Sequence, residues 1–129
     1  MNLNNIINRI KQININIKFV GEFDENNRKT GYWEFYYNNG KIHSKGTFKN
    51  GKYHGYWEGY YSNGNLWHKG NYVNGYRDGY WEYYFFNGDV SSKGNYLNGN
   101  RDGYWEWYHE NGNLRSKGNF INGKFYEIK

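Results

Sequence analysis

The stretch SKGNYLNGNRDGYWEWY, from Ser92 to Tyr108, decides the fold, because near-copies of it recur along the chain. Its GYWE motif begins at Gly31, Gly55, Gly79 and Gly103, so the period is a strict 24 residues. A fixed period of this length is typical of an open array in which each unit contacts mainly its neighbours. The sequence therefore predicts four repeats in residues 31–129, beginning at positions 31, 55, 79 and 103, after an N-terminal cap in residues 1–30.

Each repeat contains two Asn-Gly pairs between aromatic runs, which is the strongest local signal for a two-residue hairpin turn. In the first repeat these pairs are Asn39-Gly40 and Asn50-Gly51. We therefore predict two strands per repeat and an all-β fold, an elongated single-layer antiparallel β-meander of about ten strands. At about 4.8 Å per strand, the ribbon would be about 45 Å long.

The predicted turn at Asn39-Gly40 sets the register of the first hairpin. It places Trp33 opposite Gly46, Glu34 opposite Lys45 and Tyr37 opposite Ile42, and the same pairing recurs in every repeat. One face, here called the tryptophan face, then carries Trp33, Trp57, Trp81 and Trp105 with Gly46, Gly70, Gly94 and Gly118, which are the predicted structural residues. The aliphatic residues expected beside them are Ile42, Leu66, Val90 and Leu114. Since glycine leaves room for an indole, this face should be the better packed of the two.

The second turn of each repeat leads into the next one. With Asn50-Gly51 as the loop, Phe48 faces Tyr53 and Ser44 faces Trp57. The opposite face, here called the tyrosine face, carries the Glu-Lys cross-strand pairs, flanked by Tyr32, Tyr36, Tyr56, Tyr60, Tyr80, Tyr84, Tyr104 and Tyr108.

The composition agrees with a sheet whose core is built from rings. Of the 129 residues, 23% are aromatic and only 36% belong to the whole hydrophobic set, while proline is absent and glycine occurs 18 times. Residues 3–10 have apolar side chains at helical spacing, and Ile13 to Phe19 alternate as in a strand, so the cap is predicted to be a short helix followed by an edge strand. "GEFDENNRKTG", 21–31, has the character of a degenerate repeat junction.

The absence of cysteine excludes disulfides, thiolate catalysis and Cys-ligated zinc, and it favours an intracellular, cytoplasmic location. Asn, Arg and Lys interrupt the N-terminal 20 residues too often for a signal peptide, and no later stretch has the length of a membrane span. The net charge of +5 allows anionic partners, but the basic residues are scattered among acidic ones. Glutamate at the centre of each repeat also disfavours nucleic-acid binding to the tyrosine face.

The junction GNYVNGYRDGYW, 70–81, and its relatives at 46–57, 94–105 and 118–126 resemble MORN repeats. The unit GYWEYYFFNGDVSSKGNY resembles more narrowly the MORN variant of many bacterial and viral proteins, a group that includes antitoxins. MORN repeats often have glycine two places after the junction glycine, where this chain has Trp57, Trp81 and Trp105, which also favours the variant. The resemblance implies an elongated meander and a binding or scaffolding role without catalysis.

No catalytic, metal or cofactor site is predicted. The four histidines, His43, His54, His68 and His109, do not recur at equivalent positions, and we expect His68 and His109 on the tryptophan face and His43 on the other. Four acidic residues are interpreted as turn residues, namely Asp24, Glu25, Asp78 and Asp102.

Exposed tyrosine is typical of protein recognition, since it offers contact area with few rotors and a hydroxyl that can hydrogen-bond. The predicted binding residues are therefore Tyr36, Tyr56, Tyr60, Tyr80, Tyr84 and Tyr108. The leading hypothesis is a protein-interaction or scaffold module with an unidentified protein partner, which could also self-associate as a homo-oligomer. The alternative is an antitoxin or immunity protein that occludes a toxin; binding to anionic lipid or nucleic acid is less favoured.

Overall fold

The structure, a computed structural model, describes residues 18–129. They form one antiparallel ten-stranded sheet in which each strand pairs with its neighbours in sequence. The strands are β1 Phe19–Phe23, β2 Lys29–Tyr36, β3 Ile42–Lys49, β4 Lys52–Tyr60, β5 Leu66–Val73, β6 Tyr76–Tyr84, β7 Val90–Leu97, β8 Asn100–Tyr108, β9 Leu114–Ile121 and β10 Lys124–Glu127. The predicted all-β meander is confirmed. The helix predicted for residues 3–10 and most of the predicted cap strand lie outside the described residues.

The first Asn-Gly pair of each repeat does not form the predicted two-residue turn. Gly40 has a positive φ of 86°, whereas Asn39 has an ordinary negative φ. The N–H of Tyr37 donates to the carbonyl of Lys41, and the N–H of Gly40 donates to the carbonyl of Tyr37. The loop therefore has three residues and ends in a left-handed glycine, which is the next most common hairpin connection.

The longer loop changes the pairing next to it. Tyr36, not Tyr37, faces Ile42, and His43 is an extra residue that bulges before Phe35 meets Ser44. This bulge restores the predicted pairs Trp33–Gly46 and Glu34–Lys45. It also places the aliphatic side chains on the tyrosine face rather than the tryptophan face, because each one is opposite a tyrosine of that face: Ile42, Leu66, Val90 and Leu114 pair with Tyr36, Tyr60, Tyr84 and Tyr108.

The second Asn-Gly pair forms the predicted type I′ turn in all four repeats. Asn50 and Gly51 both have positive φ, 52° and 78°, as the two central residues of that turn require. The predicted pair Phe48–Tyr53 is confirmed, but Trp57 faces Gly46 and not Ser44, which faces Gly59. Beyond Tyr53 the pairing of β3 with β4 shifts by two residues, next to Gly55 with its φ of 92°. Because side chains alternate with a period of two, this shift leaves the side chains of β4 on their predicted faces.

The tryptophans pack on the glycine of the preceding strand. A Cβ added to Gly70 would lie 2.3 Å from Cδ2 of Trp81, and one added to Gly94 would lie 2.3 Å from Cδ2 of Trp105. We expected Trp81 to cover Gly94, its partner in the following hairpin, so the direction in which the indole leans was predicted wrongly. Only glycine can stand under these rings, because any side chain would occupy the same space.

The buried rings form two clusters along the tryptophan face. The first contains Trp33, Phe48 and Trp57, and the second contains Trp81, Tyr96 and Trp105. Tyr72 packs against both clusters and so links them. The indole N–H groups are satisfied by backbone carbonyls where the ladder shifts register, as in the 2.9 Å bond from Trp81 Nε1 to Asn71. Four tryptophans thus supply the packing that aliphatic side chains supply in an ordinary core.

Candidate binding surfaces

A repeated group of four side chains organises the tyrosine face. On β4, Glu58 accepts hydrogen bonds from the hydroxyls of Tyr56 at 3.1 Å and Tyr60 at 2.9 Å. Lys45 of the preceding strand lies 3.6 Å from the same carboxylate, and its ammonium lies 5.9 Å from the centre of the Tyr60 ring. Glu34 and Glu106 accept the corresponding tyrosine hydrogen bonds. The glutamates thus hold the tyrosine side chains in one orientation.

The ion pairs connect successive repeats. In residues 18–129 the cross-strand contacts join Lys45 to Glu58, Lys69 to Glu82 and Lys93 to Glu106, at 3.6, 3.5 and 3.7 Å. The predicted partners across each hairpin, such as Glu58 and Lys69, are neighbours in register, but the close contact is to the glutamate of the next repeat. Each exposed pair contributes only about 0.2–1 kcal/mol, so its main effect is on orientation.

These contacts shift the ionisation of the groups involved. Burial, followed by the charge of Glu58, raises the pKa of Tyr56 to about 12. Partial burial alone would raise the pKa of Glu106. Hydrogen bonds from Tyr108 and Tyr104 and the charge of Lys93 outweigh this effect, so the pKa of Glu106 lies below its ordinary value. The Glu106 carboxylate therefore remains ionised and the Tyr56 phenol neutral near pH 7.

Four rings of this face that are about half exposed form a row across the sheet. Tyr32, Tyr56, Tyr80 and Tyr104 are 54%, 49%, 50% and 42% exposed. Residues with short polar side chains alternate with them in the register: Thr47, Asn71, Asn95 and Asn119. Tyr32 and Tyr104 were not among the predicted binding residues, although their place in the repeat is that of Tyr56 and Tyr80. The other four predicted residues, Tyr36, Tyr60, Tyr84 and Tyr108, are half-buried.

The tryptophan face carries positive charge above its buried rings. The guanidinium of Arg77 lies 5.6 Å from the Trp81 ring centre, and that of Arg101 lies 5.2 Å from the Trp105 ring centre. Lys29 takes the equivalent place over Trp33 at 5.6 Å. Nothing in the sequence patterns had singled out these cations, although Arg77 and Arg101 are 24 residues apart. They make the outer layer of this face basic and aromatic.

The histidines do not form a common site. His68 lies on the tryptophan face as predicted, whereas His43 is the bulge residue and His109 stands exposed in a loop. The Nδ1 of His54 accepts a hydrogen bond from the N–H of Asn74. In residues 18–129 no three His, Asp or Glu side chains are grouped so as to hold a metal ion.

The four acidic residues divide into two kinds. Asp24 and Glu25 belong to the β1–β2 turn as predicted, and the Asp24 carboxylate accepts hydrogen bonds from Asn26 and Arg28. Asp78 and Asp102 are not turn residues, because they lie inside β6 and β8 opposite Asn71 and Asn95. Both immediately precede the positive-φ glycine at which the strand shifts register.

The fold and its surfaces define a β-repeat protein with one ring-packed face and one hydrogen-bonded tyrosine face. The model of the MORN repeat variant matches residues 29–50, 53–74, 77–98 and 101–122, which together exceed half of the chain. The chain therefore belongs to the MORN repeat family, in its variant form. No curated protein matches it. The part of the chain that the structure describes has no helix long and apolar enough to cross a membrane.

Proposed function

We propose that the chain is a non-catalytic protein-interaction module that binds its partner through the tyrosine face. The observation that carries the proposal is the row formed by Tyr32, Tyr56, Tyr80 and Tyr104. These side chains are about half exposed although each belongs to a strand that is hydrogen-bonded on both sides. A binding or scaffolding role agrees with membership of the MORN repeat family.

The tyrosines of the row are oriented before any partner arrives. The hydroxyls of Tyr32, Tyr56 and Tyr104 each donate to a glutamate two residues further along the strand. A side chain that is already fixed loses less conformational entropy on binding, so more of its contact energy appears as affinity. Aromatic anchors of this kind commonly dominate the binding energy of a protein interface.

The alternating residues of the row supply specificity. Asn71 lies in register between Tyr56 of β4 and Asp78 of β6, and Asn95 lies opposite Tyr80. Both asparagines are exposed, so their amides can donate to and accept from a partner's backbone. A partner that matches the row would meet a ring and an amide in each hairpin, with the Asp78 and Asp102 carboxylates next to the Asn71 and Asn95 amides.

The test compares two exposed tyrosines of β6. Tyr80 belongs to the row and is 50% exposed, whereas Tyr76, which lies on the same face but outside the row, is 61% exposed next to the type I′ turn. Tagged wild-type, Tyr80→Ala and Tyr76→Ala proteins are used to capture partners from the native source, and the affinity of each partner is then measured by calorimetry. We expect Tyr80→Ala to weaken binding at least about tenfold, corresponding to about 1.4 kcal/mol, and Tyr76→Ala to leave it unchanged. Equal affinity of all three folded proteins, or turnover of a substrate by purified protein, would contradict the proposal.

A further inference from the structure

The second surface with binding chemistry is the basic groove of the tryptophan face. Arg77 on β6 is in register with Tyr72, and Arg101 on β8 is in register with Tyr96, so both arginines lie on this face. The Arg77 guanidinium is 5.4 Å from the Tyr96 ring centre, and that of Arg101 is 5.8 Å from the Phe120 ring centre. Each guanidinium thus lies within cation–π distance of two rings, which holds it in place over the sheet.

By register, no carboxylate of strands β2 to β9 lies on this face beside the two guanidinium groups, and Glu127 of β10 lies on it opposite Gly118. Across strands β2 to β9 the charged residues of the tryptophan face are Lys29, Arg77 and Arg101, since Asp78 and Asp102 point to the other face by register. The ion pairs of residues 18–129 involve neither arginine. Residues 1–17 contain no Asp or Glu, so that segment has no carboxylate to supply either.

A groove of about 380 Å³ connects the two arginines. Besides Arg77 and Arg101 it is lined by Tyr83, Ser92 and Tyr96, with Trp67 at its side. The hydroxyls of Tyr83 and Tyr96 are 2.9 Å apart and hydrogen-bond each other. Rings for apolar contact, hydroxyls for hydrogen bonds and two cations make this groove complementary to a chain that carries spaced negative charges.

The distance between Arg77 and Arg101 determines which ligands can contact both guanidinium groups. Arg77 and Arg101 stand two strands apart, which is about 9.6 Å. A single phosphate or carboxylate cannot reach both, whereas a polyproline II helix advances about 3.1 Å per residue and presents every third side chain on one side, about 9.3 Å apart. Its backbone carbonyls are free to accept hydrogen bonds, and proline rings pack well on aromatic side chains.

We propose that this groove binds an acidic peptide segment in the polyproline II conformation, with one carboxylate on Arg77 and the carboxylate three residues further on Arg101. A guanidinium held over rings still has N–H donors that a carboxylate can accept in pairs. The proposal does not depend on the tyrosine face, so one protein could bind partners on both faces.

The probe is the peptide acetyl-(Glu-Pro-Pro)₄-amide, with acetyl-(Gln-Pro-Pro)₄-amide as its uncharged match. Binding to the whole chain is followed by intrinsic tryptophan fluorescence and calorimetry at low ionic strength. We expect the glutamate peptide to bind and the glutamine peptide not to bind. A peptide with glutamate at every second position, acetyl-(Glu-Pro)₆-amide, should bind at least about fivefold more weakly, because its carboxylates miss the 9–10 Å spacing.

Charge variants of the protein localise the site. Arg77→Gln and Arg101→Gln should each weaken binding of the glutamate peptide at least about tenfold, whereas Lys52→Gln, which removes the same charge from the other face, should change it less than about twofold. If Arg→Gln impairs folding, Arg77→Lys and Arg101→Lys keep the charge but lose the fork of donors, and each should weaken binding about threefold or more. Equal binding of the Glu and Gln peptides, equal losses in the arginine and Lys52 variants, or tighter binding of oligo(dT) than of the glutamate peptide would overturn the proposal.

Discussion

The imidazole of His68 occupies the space over Gly59, its cross-strand partner. A Cβ added to Gly59 would lie 2.4 Å from Cε1 of His68. In the other three repeats the sizes are reversed, since a large ring faces a serine: Phe35 with Ser44, Tyr83 with Ser92 and Trp107 with Ser116. The second repeat thus fills the same volume from the opposite strand.

This exchange of large and small side chains predicts that the stability effects of substitutions at positions 59 and 68 are strongly coupled. Gly59→Tyr alone should destabilise the fold by about 1–3 kcal/mol because the ring meets His68. His68→Ser alone should also destabilise it, because it leaves a void. The double variant reproduces the pairing of the third repeat and should recover at least about 1 kcal/mol relative to the sum of the single changes. Chemical denaturation of the four proteins measures the coupling, and strictly additive losses would contradict it.

His68 also predicts a pH dependence. Burial, with further contributions from Arg77 and His43, lowers the pKa of His68 to about 4, and its buried Nδ1 has no hydrogen-bond partner in residues 18–129. Because the folded pKa is below the unfolded value of about 6.5, the unfolded state binds the proton first. The stability is therefore complete above about pH 6.5 and falls as the pH decreases towards 4.

The measurement is the free energy of unfolding at pH 7.5, 6, 5 and 4.5. In the double variant Gly59→Tyr/His68→Ser, the loss of stability at low pH that His68 causes should disappear. His109→Ser serves as the control, because His109 is exposed and its removal should leave the decline unchanged. If His109→Ser flattens the profile as much as the double variant, His68 is not its source.

A third prediction separates the two faces. Trp81→Ala should cost about 3–5 kcal/mol, because a fully buried indole is lost from the second ring cluster. Glu82→Ala removes a partly exposed ion pair with Lys69 and should cost less than about 1 kcal/mol. Similar losses in denaturant unfolding would show that the faces are misassigned.

The direction in which the indoles lean can be tested with glycine variants. Gly70→Ala should be strongly destabilising in the wild type, since the added Cβ meets Trp81. The additional cost of Gly70→Ala should shrink in a Trp81→Ala background and persist in a Trp105→Ala background. For Gly94→Ala the two backgrounds should exchange roles, because Trp105 covers Gly94. Relief of Gly94→Ala by Trp81→Ala would mean that the rings lean the other way.

Period and alternation were sufficient to predict the meander, the Trp33–Gly46 and Glu34–Lys45 pairs and the two faces, because a 24-residue repeat and a two-residue side-chain alternation leave few other registers. They could not predict the bulge at His43, because no particular residue type marks the position of an extra residue in one strand. The misplacement of Ile42 on the tryptophan face follows from that bulge.

For the surfaces, sequence reasoning identified the tyrosines but not the cations of the tryptophan face. Alternation places Tyr56 and Tyr80 on one face, but their roughly half-exposed state depends on how the neighbouring side chains pack. Arg77 and Arg101 looked like scattered charges in the sequence, and only the register shows that no acidic residue of strands β2 to β9 shares their face. The sequence contained one signal of this pattern: Arg77 and Arg101 are 24 residues apart and so occupy equivalent positions in successive repeats.

The two Asn-Gly pairs of a repeat look alike in sequence but differ in conformation, and this difference gives the last prediction. Asn74 has a φ of 49°, which strains an ordinary residue by about 1–2 kcal/mol and suits glycine. Asn63 has a negative φ, and its side chain accepts from the N–H of Asn65 at 2.9 Å and donates to the carbonyl of Phe86 at 3.0 Å. Replacing either asparagine by glycine increases the conformational entropy of the unfolded chain, which lowers the stability by about 0.5–1 kcal/mol at both positions.

At position 74, relief of backbone strain offsets that entropic cost, so Asn74→Gly should change the free energy of unfolding by less than about 0.5 kcal/mol. At position 63 the loss of two hydrogen bonds adds to it, so Asn63→Gly should cost about 1–2 kcal/mol. The hydrogen bond to Phe86 joins the second repeat to the third, so part of that loss is a weakened contact between repeats. Urea denaturation of both variants beside the wild type measures the difference, and equal costs would show that the two turns do not differ in the way the φ angles indicate.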